Sequence, residues 1–171
     1  MRVVVMDTQK GLVVDALYDF ENFVKNVKKI IEVARANNVE ILYVQHDNGS
    51  VLVPGNEFYE IADEFKPEPN EKRFVKHEGS CFSNKEFREY LESVKEDTLM
   101  ITGLVTNYCV DTTVKAAHER GYKVVIPAGT NSAFDTDYFD AETAYKYCNE
   151  DVWPEIADCV TMEEAIEMLK K

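Results

Sequence analysis

Short runs rich in Val, Ile and Leu recur along the chain, each separated from the next by a helical pattern or a turn-rich stretch. They are RVVVMD at 2–7, VEILYVQHD at 39–47, KRFVKH at 72–77, TLMITGL at 98–104, YKVVIPA at 122–128 and DCVT at 158–161. Between the first two, Phe20, Phe23, Val24, Val27, Ile30, Ile31 and Ala34 fall on one stripe of a helix over 18–37. SNKE at 83–86 fits a capping box ahead of Phe87, Tyr90, Leu91 and Val94. Val110, Thr113, Val114 and Ala117 form a further stripe that stops near Gly121. A helix over 140–150 and a last one carrying Met162, Ala165, Ile166 and Leu169 complete the pattern. Residues 48–70 hold Pro54, Pro67, Pro69, Gly49 and Gly55, so this stretch reads as loop with a short helix at 56–64. Strands alternating with helices build a mainly parallel sheet covered on both faces. The expectation is an α/β fold in three layers, α-β-α, with a doubly wound sheet of six strands. The 171 residues fit one domain over 1–171.

In such a sheet the ligand site lies beyond the carboxyl ends of the strands. Asp7 and Gln9 follow the first strand, and Gln45, His46 and Asp47 follow the second. Lys76 and His77 end the third, and Thr106 to Cys109 follow the fourth. These residues, distant in sequence, are expected around one crevice. Within it, Cys109 stands where a helix begins. A thiol attacks as the thiolate, which a helix N-terminus and a nearby ammonium both favour. The helix supplies the first and Lys76 the second. Asp7 can accept the thiol proton and pass it to a leaving amine. The first N–H groups of the helix can hold an oxyanion. Together these parts would run acyl transfer to cysteine followed by hydrolysis.

Taken singly, the same residues are bland. Free cysteine is a common core residue, a carboxylate after the first strand is a frequent cap or ligand, and a lone lysine is usually solvated. His46 and Asp47 either contact a substrate or cap the strand end. Tyr108 adjoins the nucleophile and either lines a pocket or fills the core. Cys81 reads as a packed small side chain, and Trp153 as core or interface.

Charge narrows the partners. Thirty-two acidic and 19 basic side chains give a net charge of −13, which repels phosphate backbones and anionic membranes. Nucleic acid and membrane are not expected partners; a small-molecule substrate is. No apolar run approaches the length of a bilayer span, and the short start lacks the features of a signal peptide, so a cytoplasmic location is the expectation. Cys81, Cys109, Cys148 and Cys159 form no C-x-x-C pair, and their spacing suggests no zinc site.

Three segments carry a resemblance. VVVMDTQKGL, VKHEGSCF and GLVTNYCVDTTVKAAHERGYKVVI follow one another in the order and at about the intervals of the isochorismatase-like cysteine hydrolase superfamily. They resemble its D-x-Q strand, its K-x-x-x-S-A-F element, with Cys81 in place of the alanine, and its G-x-x-T-x-x-C-V-x-x-T motif. The resemblance covers nearly the whole chain. It implies a Rossmann-like, isochorismatase-like sheet of six parallel strands and a triad of Asp7, Lys76 and Cys109. It also implies a cis peptide between Leu104 and Val105, an oxyanion hole from the Val105 and Cys109 N–H groups, and assembly into dimers or tetramers. Gln9, His46 and Tyr108 are the further candidates for substrate contact.

Departures from the family pattern matter too. Nicotinamidases of the superfamily carry a D-x-H…H metal set after the second strand, where this chain reads YVQHDNGSVLVPGNEFYEI; no metal and no cofactor are expected. Isochorismatases proper cleave a vinyl ether and need no thiol, so the retained cysteine favours a C–N bond in an amide, carbamoyl group or ureide. The alternatives are a silent α/β protein that binds a small ligand or partner, and a vinyl-ether hydrolase. A nucleotide- or flavin-binding protein is disfavoured, because DTQKGLVVDA after the first strand has a single glycine and no phosphate loop.

Overall fold

Val3, Val4, Val5 and Met6 are all fully buried in the computed structural model, which describes all of residues 1–171. Successive side chains of a strand point to opposite faces. Val3 and Val5 therefore enter one core, while Val4 and Met6 enter the other. A strand that must satisfy two cores is continuously apolar rather than alternating. The same division holds for Ile41 and Tyr43 against Leu42 and Val44.

The strands are β1 (Arg2–Met6), β2 (Ile41–His46), β3 (Lys72–Lys76), β4 (Thr98–Leu104), β5 (Lys123–Pro127), β6 (Asn131–Ser132) and β7 (Asp158–Val160). Their order is β3-β2-β1-β4-β5-β7, with β6 paired to β4, and every pairing is parallel. The helices α1 (Phe20–Ala36) and α5 (Met162–Leu169) bury their stripes on the first face. On the second lie α2 (Lys85–Ser93) and α3 (Asp111–Glu119), together with fully buried Trp153, whose indole N–H donates to Asp111 Oδ1 at 2.9 Å. The short α4 (Ala141–Lys146) packs Ala141 and Ala144 against Ala133, just beyond β6. No helix is long and apolar enough to cross a membrane.

The sheet thus has seven strands, one more than the sequence pattern indicates. The extra strand is the two-residue β6, which pairs with Gly103 and Leu104 at the end of β4. Asn-Ser has no apolar pattern to announce it. Other details also differ. The cap of α2 is Asn84, whose Oδ1 accepts from Phe87 N–H at 2.7 Å, while Ser83 bonds back to Ser80. The capping box that does form is Thr161 with Glu164, at α5. The 56–64 helix resolves into two tight turns, Glu57–Tyr59 and Asp63–Phe65, separated by a bridge from Ile61 to Gln9. Residues 58–60 are tied to the segment after β1 by Lys10 N–H to Glu60 O at 2.8 Å and Gly11 N–H to Phe58 O at 3.0 Å.

The chain reverses its sheet order between β1 and β4, and there the two strands nearly touch. Gly103 has φ +124°, and a Cβ on it would lie 2.0 Å from the Met6 carbonyl oxygen. Met6 is the residue before Asp7. Gly103→Ala is therefore expected to destabilise the fold by at least about 3 kcal/mol, combining a disallowed φ with a backbone clash. Urea unfolding measures it, and a loss below about 1 kcal/mol would show that the two strands can part at little cost.

Candidate active site

The site begins with the way three strands end. His46 and Lys76 are the last residues of β2 and β3 and are register partners. Paired positions on neighbouring parallel strands face the same way, so ring and ammonium meet, with Lys76 Nζ 3.1 Å from His46 Nδ1. Asp7 comes directly after β1 in a left-handed conformation, φ 54°, which Asp tolerates better than most residues. Its N–H is held by Val44 O at 2.8 Å, and its carboxylate Oδ2 lies 2.8 Å from Lys76 Nζ. Asp7 and Lys76 are each only 1% exposed. Lys76 Nζ also lies 3.2 Å from Glu78 O and 3.3 Å from Cys109 Sγ. Sequence spacing had not pointed to the Glu78 carbonyl.

Cys109 is half-buried in a wide, π-type turn, Thr106–Val110, that leads into α3. The regular helix starts at Asp111, so the cysteine sits within the preceding turn rather than on the first residue of α3. The turn hangs from β4 through the cis peptide Leu104–Val105. Thr106 Oγ1 donates to Asn131 Oδ1 at 2.7 Å, and Asn131 and Asn149 exchange amide bonds at 3.0 Å. Gly103 N–H donates to Thr130 O at 2.9 Å. The missed strand β6 is therefore what steadies the turn carrying Cys109. The one hint in the sequence was a polar TNS at 130–132, where the chain otherwise returns to apolar strands. Val105 O accepts from the N–H groups of Tyr108 and Val110, while Val105 N–H donates to none of the turn and loop carbonyls.

The other candidates separate. Gln9 is fully buried, with Nε2 donating to His46 O at 2.9 Å and Oε1 accepting from His46 N–H at 2.8 Å. One donor and one acceptor of its amide are spent on the backbone of His46, so Gln9 holds the end of β2. Gln45 is likewise occupied, donating to Tyr59 O at 2.9 Å. Tyr108 is 61% exposed and lines a groove of about 390 Å³ with Asn107, Phe139 and Tyr147, next to the turn but without Asp7, Lys76 or Cys109. A larger hollow of about 830 Å³ between α1 and α5 is remote from these residues. Cys81 is fully buried, and its N–H donates to Thr113 Oγ1 at 3.1 Å, one turn beyond Cys109 on the same helical run.

The helix N-terminus and Lys76 favour a thiolate, but other influences act on the same sulfur. Burial first, then the adjacent Asp7 charge, push the Cys109 thiol up to about 11, and the Lys76 ammonium only partly offsets them. Cys109 is thus a neutral thiol at pH 7. Burial raises Asp7 above the ordinary carboxylate range, against the pull of Lys76. Burial lowers Lys76, but the Asp7 charge beside it raises it and leaves the ammonium firmly protonated. With Oδ2 taken by Lys76, Asp7 Oδ1 remains buried and without a hydrogen-bond partner. A thiol within 4.8 Å of a carboxylate oxygen can lose its proton during attack rather than before it.

Asp7, His46 and Cys109 bring three possible metal-ligand atoms within 4.8 Å of one another. The Lys76 ammonium stands 2.8, 3.1 and 3.3 Å from these same side chains. A cation already serves all three, and a metal ion would meet it at contact distance. The residues do not fit a metal centre.

Two measurements follow from this geometry. Iodoacetamide labelling, followed on the Cys109 peptide, should reach half its maximal rate near pH 11, as the thiol is pushed up to about 11. A midpoint at or below the ~8.5 of a free thiol would mean a thiolate at rest. Purified protein should carry no stoichiometric zinc or iron by elemental analysis, and chelators should leave its activity unchanged; one bound metal ion per chain would contradict the arrangement around Lys76.

Comparison with known proteins gives the site its context. The family described as Isochorismatase domain matches residues 2–163. The isochorismatase family protein YrdC of Bacillus subtilis is 28% identical over 175 residues, covering 96% of this chain and 93% of that protein. N-carbamoylsarcosine amidase of an Arthrobacter species is 28% identical over 130 residues, covering 64% of this chain and 49% of that enzyme. Among solved structures, a cysteine hydrolase from Pseudomonas syringae pv. phaseolicola superimposes with a TM-score of 0.91 at 22% identity, over 99% of this chain and 92% of the other. A family match over nearly the whole length, on a fold shared with that structure, makes this chain a member of the isochorismatase family of hydrolases.

Proposed function

We propose that the protein hydrolyses a C–N bond of a small amide, carbamoyl or ureide substrate through a thioester at Cys109. The observation that carries this reading is one arrangement. Cys109 Sγ and the Asp7 carboxylate share a buried ammonium, and Asp7 Oδ1 is left without a donor. A relative named as an amidase, N-carbamoylsarcosine amidase, supports the same bond type.

The steps follow from those atoms. Asp7 takes the thiol proton as Sγ attacks the carbonyl carbon, and Lys76 balances the charge that develops on sulfur. The carbonyl oxygen becomes an oxyanion, held by the N–H groups of Val105 and Cys109. Asp7, now protonated, gives its proton to the departing nitrogen as the C–N bond breaks. A water molecule then enters, loses a proton to Asp7 and attacks the thioester. Collapse of the second tetrahedral intermediate releases the acid, and the proton on Asp7 returns to sulfur. One carboxylate thus serves both halves, and its burial raises its proton affinity, which eases its taking of a proton. A vinyl-ether cleavage would leave the thiol without a task.

A panel of small primary amides, carbamoyl amino acids and ureido acids, assayed by released ammonia, tests this reading. Cys109→Ala and Asp7→Asn should each lower turnover about a thousandfold or more, as for other covalent catalysts. The acid limb of kcat/KM should lie above the usual carboxylate range, because Asp7 must be ionised to act and burial raises it. Full activity of Cys109→Ala on any substrate of the panel would refute the reading.

A further inference from the structure

The Lys76 ammonium has three hydrogens and four acceptors. Asp7 Oδ2, His46 Nδ1, Glu78 O and Cys109 Sγ lie 2.8, 3.1, 3.2 and 3.3 Å from Nζ. One of the four goes without at any moment. The carboxylate is charged, the imidazole nitrogen and the carbonyl are good acceptors, and a neutral thiol is a poor one. The sulfur, a poor acceptor while it is a thiol, therefore holds the weakest share of the three hydrogens at rest.

We propose that His46 is a positioning residue that acts through Lys76. By taking one ammonium hydrogen at Nδ1, it withholds that hydrogen from Cys109 and keeps the sulfur a thiol until attack. The proposal rests on the reading of Cys109 as nucleophile and names a residue that tunes it.

The surroundings of His46 favour this role. Its backbone is fixed on both sides by the Gln9 amide, so the ring cannot drift with the chain. The charged and titratable groups facing it are Lys76 at the end of β3 and His77 just after it, Asp7 after β1, Cys109 in the turn, and Asp47 next to it in sequence. Burial, then the Lys76 charge, hold His46 below its ordinary value, so it is neutral at pH 7. A neutral ring facing an ammonium through Nδ1 must carry its proton on Nε2. Were that acceptor lost, Sγ, 3.3 Å from Nζ, would compete for the Lys76 hydrogens with one rival fewer, and a hydrogen bond to the charged form favours the thiolate.

Two substitutions separate this effect from mere opening of the site. His46→Ala removes the acceptor; His46→Asn also shortens the side chain but returns an oxygen near the Nδ1 position. Iodoacetamide labelling at pH 8 is followed on the Cys109 peptide, with exposed Cys159 as an internal reference for reagent and handling. The Ala variant should label about tenfold faster than the parent, the size of one hydrogen bond, and the Asn variant at close to the parent rate. Equal acceleration in both would assign the change to access and overturn the proposal, as would an unchanged or slower Ala variant. Nitrogen NMR of the unaltered protein at pH 7 provides a check that needs no variant: it should show the Nε2–H tautomer of His46, and an Nδ1–H ring would refute the assignment. None of these readouts needs a substrate, so they can fail while Cys109 still proves to be the amide-cleaving nucleophile, and the reverse.

Discussion

An ammonium and a carboxylate 2.8 Å apart, each almost wholly removed from water, are an expensive pair to bury. Lys76 and Asp7 persist because their desolvation is offset locally. Oδ2 receives the ammonium, and the ammonium in turn meets His46, the Glu78 carbonyl and Cys109. Removing one partner would strand the other, which typically costs about 3–5 kcal/mol. The pair is thus a commitment by three strands at once. β1 must deliver Asp7, β3 must deliver Lys76, and β2 between them must stay in register for His46 to share the charge.

The opposite side of the crevice is held by different means. The turn bearing Cys109 has no charge of its own to anchor it. It depends on the close approach of Gly103 to Met6, on β6, and on the Thr106–Asn131–Asn149 hydrogen bonds. The two halves meet where the sheet order reverses, the usual location of a ligand site in a doubly wound sheet. A rigid polar network behind the turn and a buried ion pair across from it leave the sulfur little freedom. This order suits the proposed role of Cys109 as nucleophile, which requires its base to be in place when attack begins.

Apolar periodicity made most of this architecture legible. Strands that serve two cores have continuous apolar runs, and α1, α3 and α5 show one-sided stripes that match the side chains they bury. The rule for strand ends then gathered Asp7, His46, Lys76 and Cys109 from four separate segments. What stayed hidden were the features without side-chain periodicity. β6 is defined by two backbone pairings, and the Glu78 carbonyl is backbone too. Gln9 was in the right place, but whether a buried amide faces a ligand or a neighbouring strand depends on tertiary packing. The charge state of Cys109 is not legible in the sequence for the same reason: a motif locates the cysteine beside Lys76, whereas burial and the Asp7 charge also enter the balance.

The chemistry assigned to this site centres on a covalent bond to one sulfur atom. The most direct test is intact-protein and peptide mass spectrometry on a reaction quenched in acid within the first turnovers, using an amide substrate or a reactive acyl analogue. The account predicts a mass increase equal to the acyl group, located on the peptide that contains Cys109 and absent from those of Cys81, Cys148 and Cys159. Turnover with no adduct at Cys109, under conditions that slow thioester hydrolysis, would contradict it.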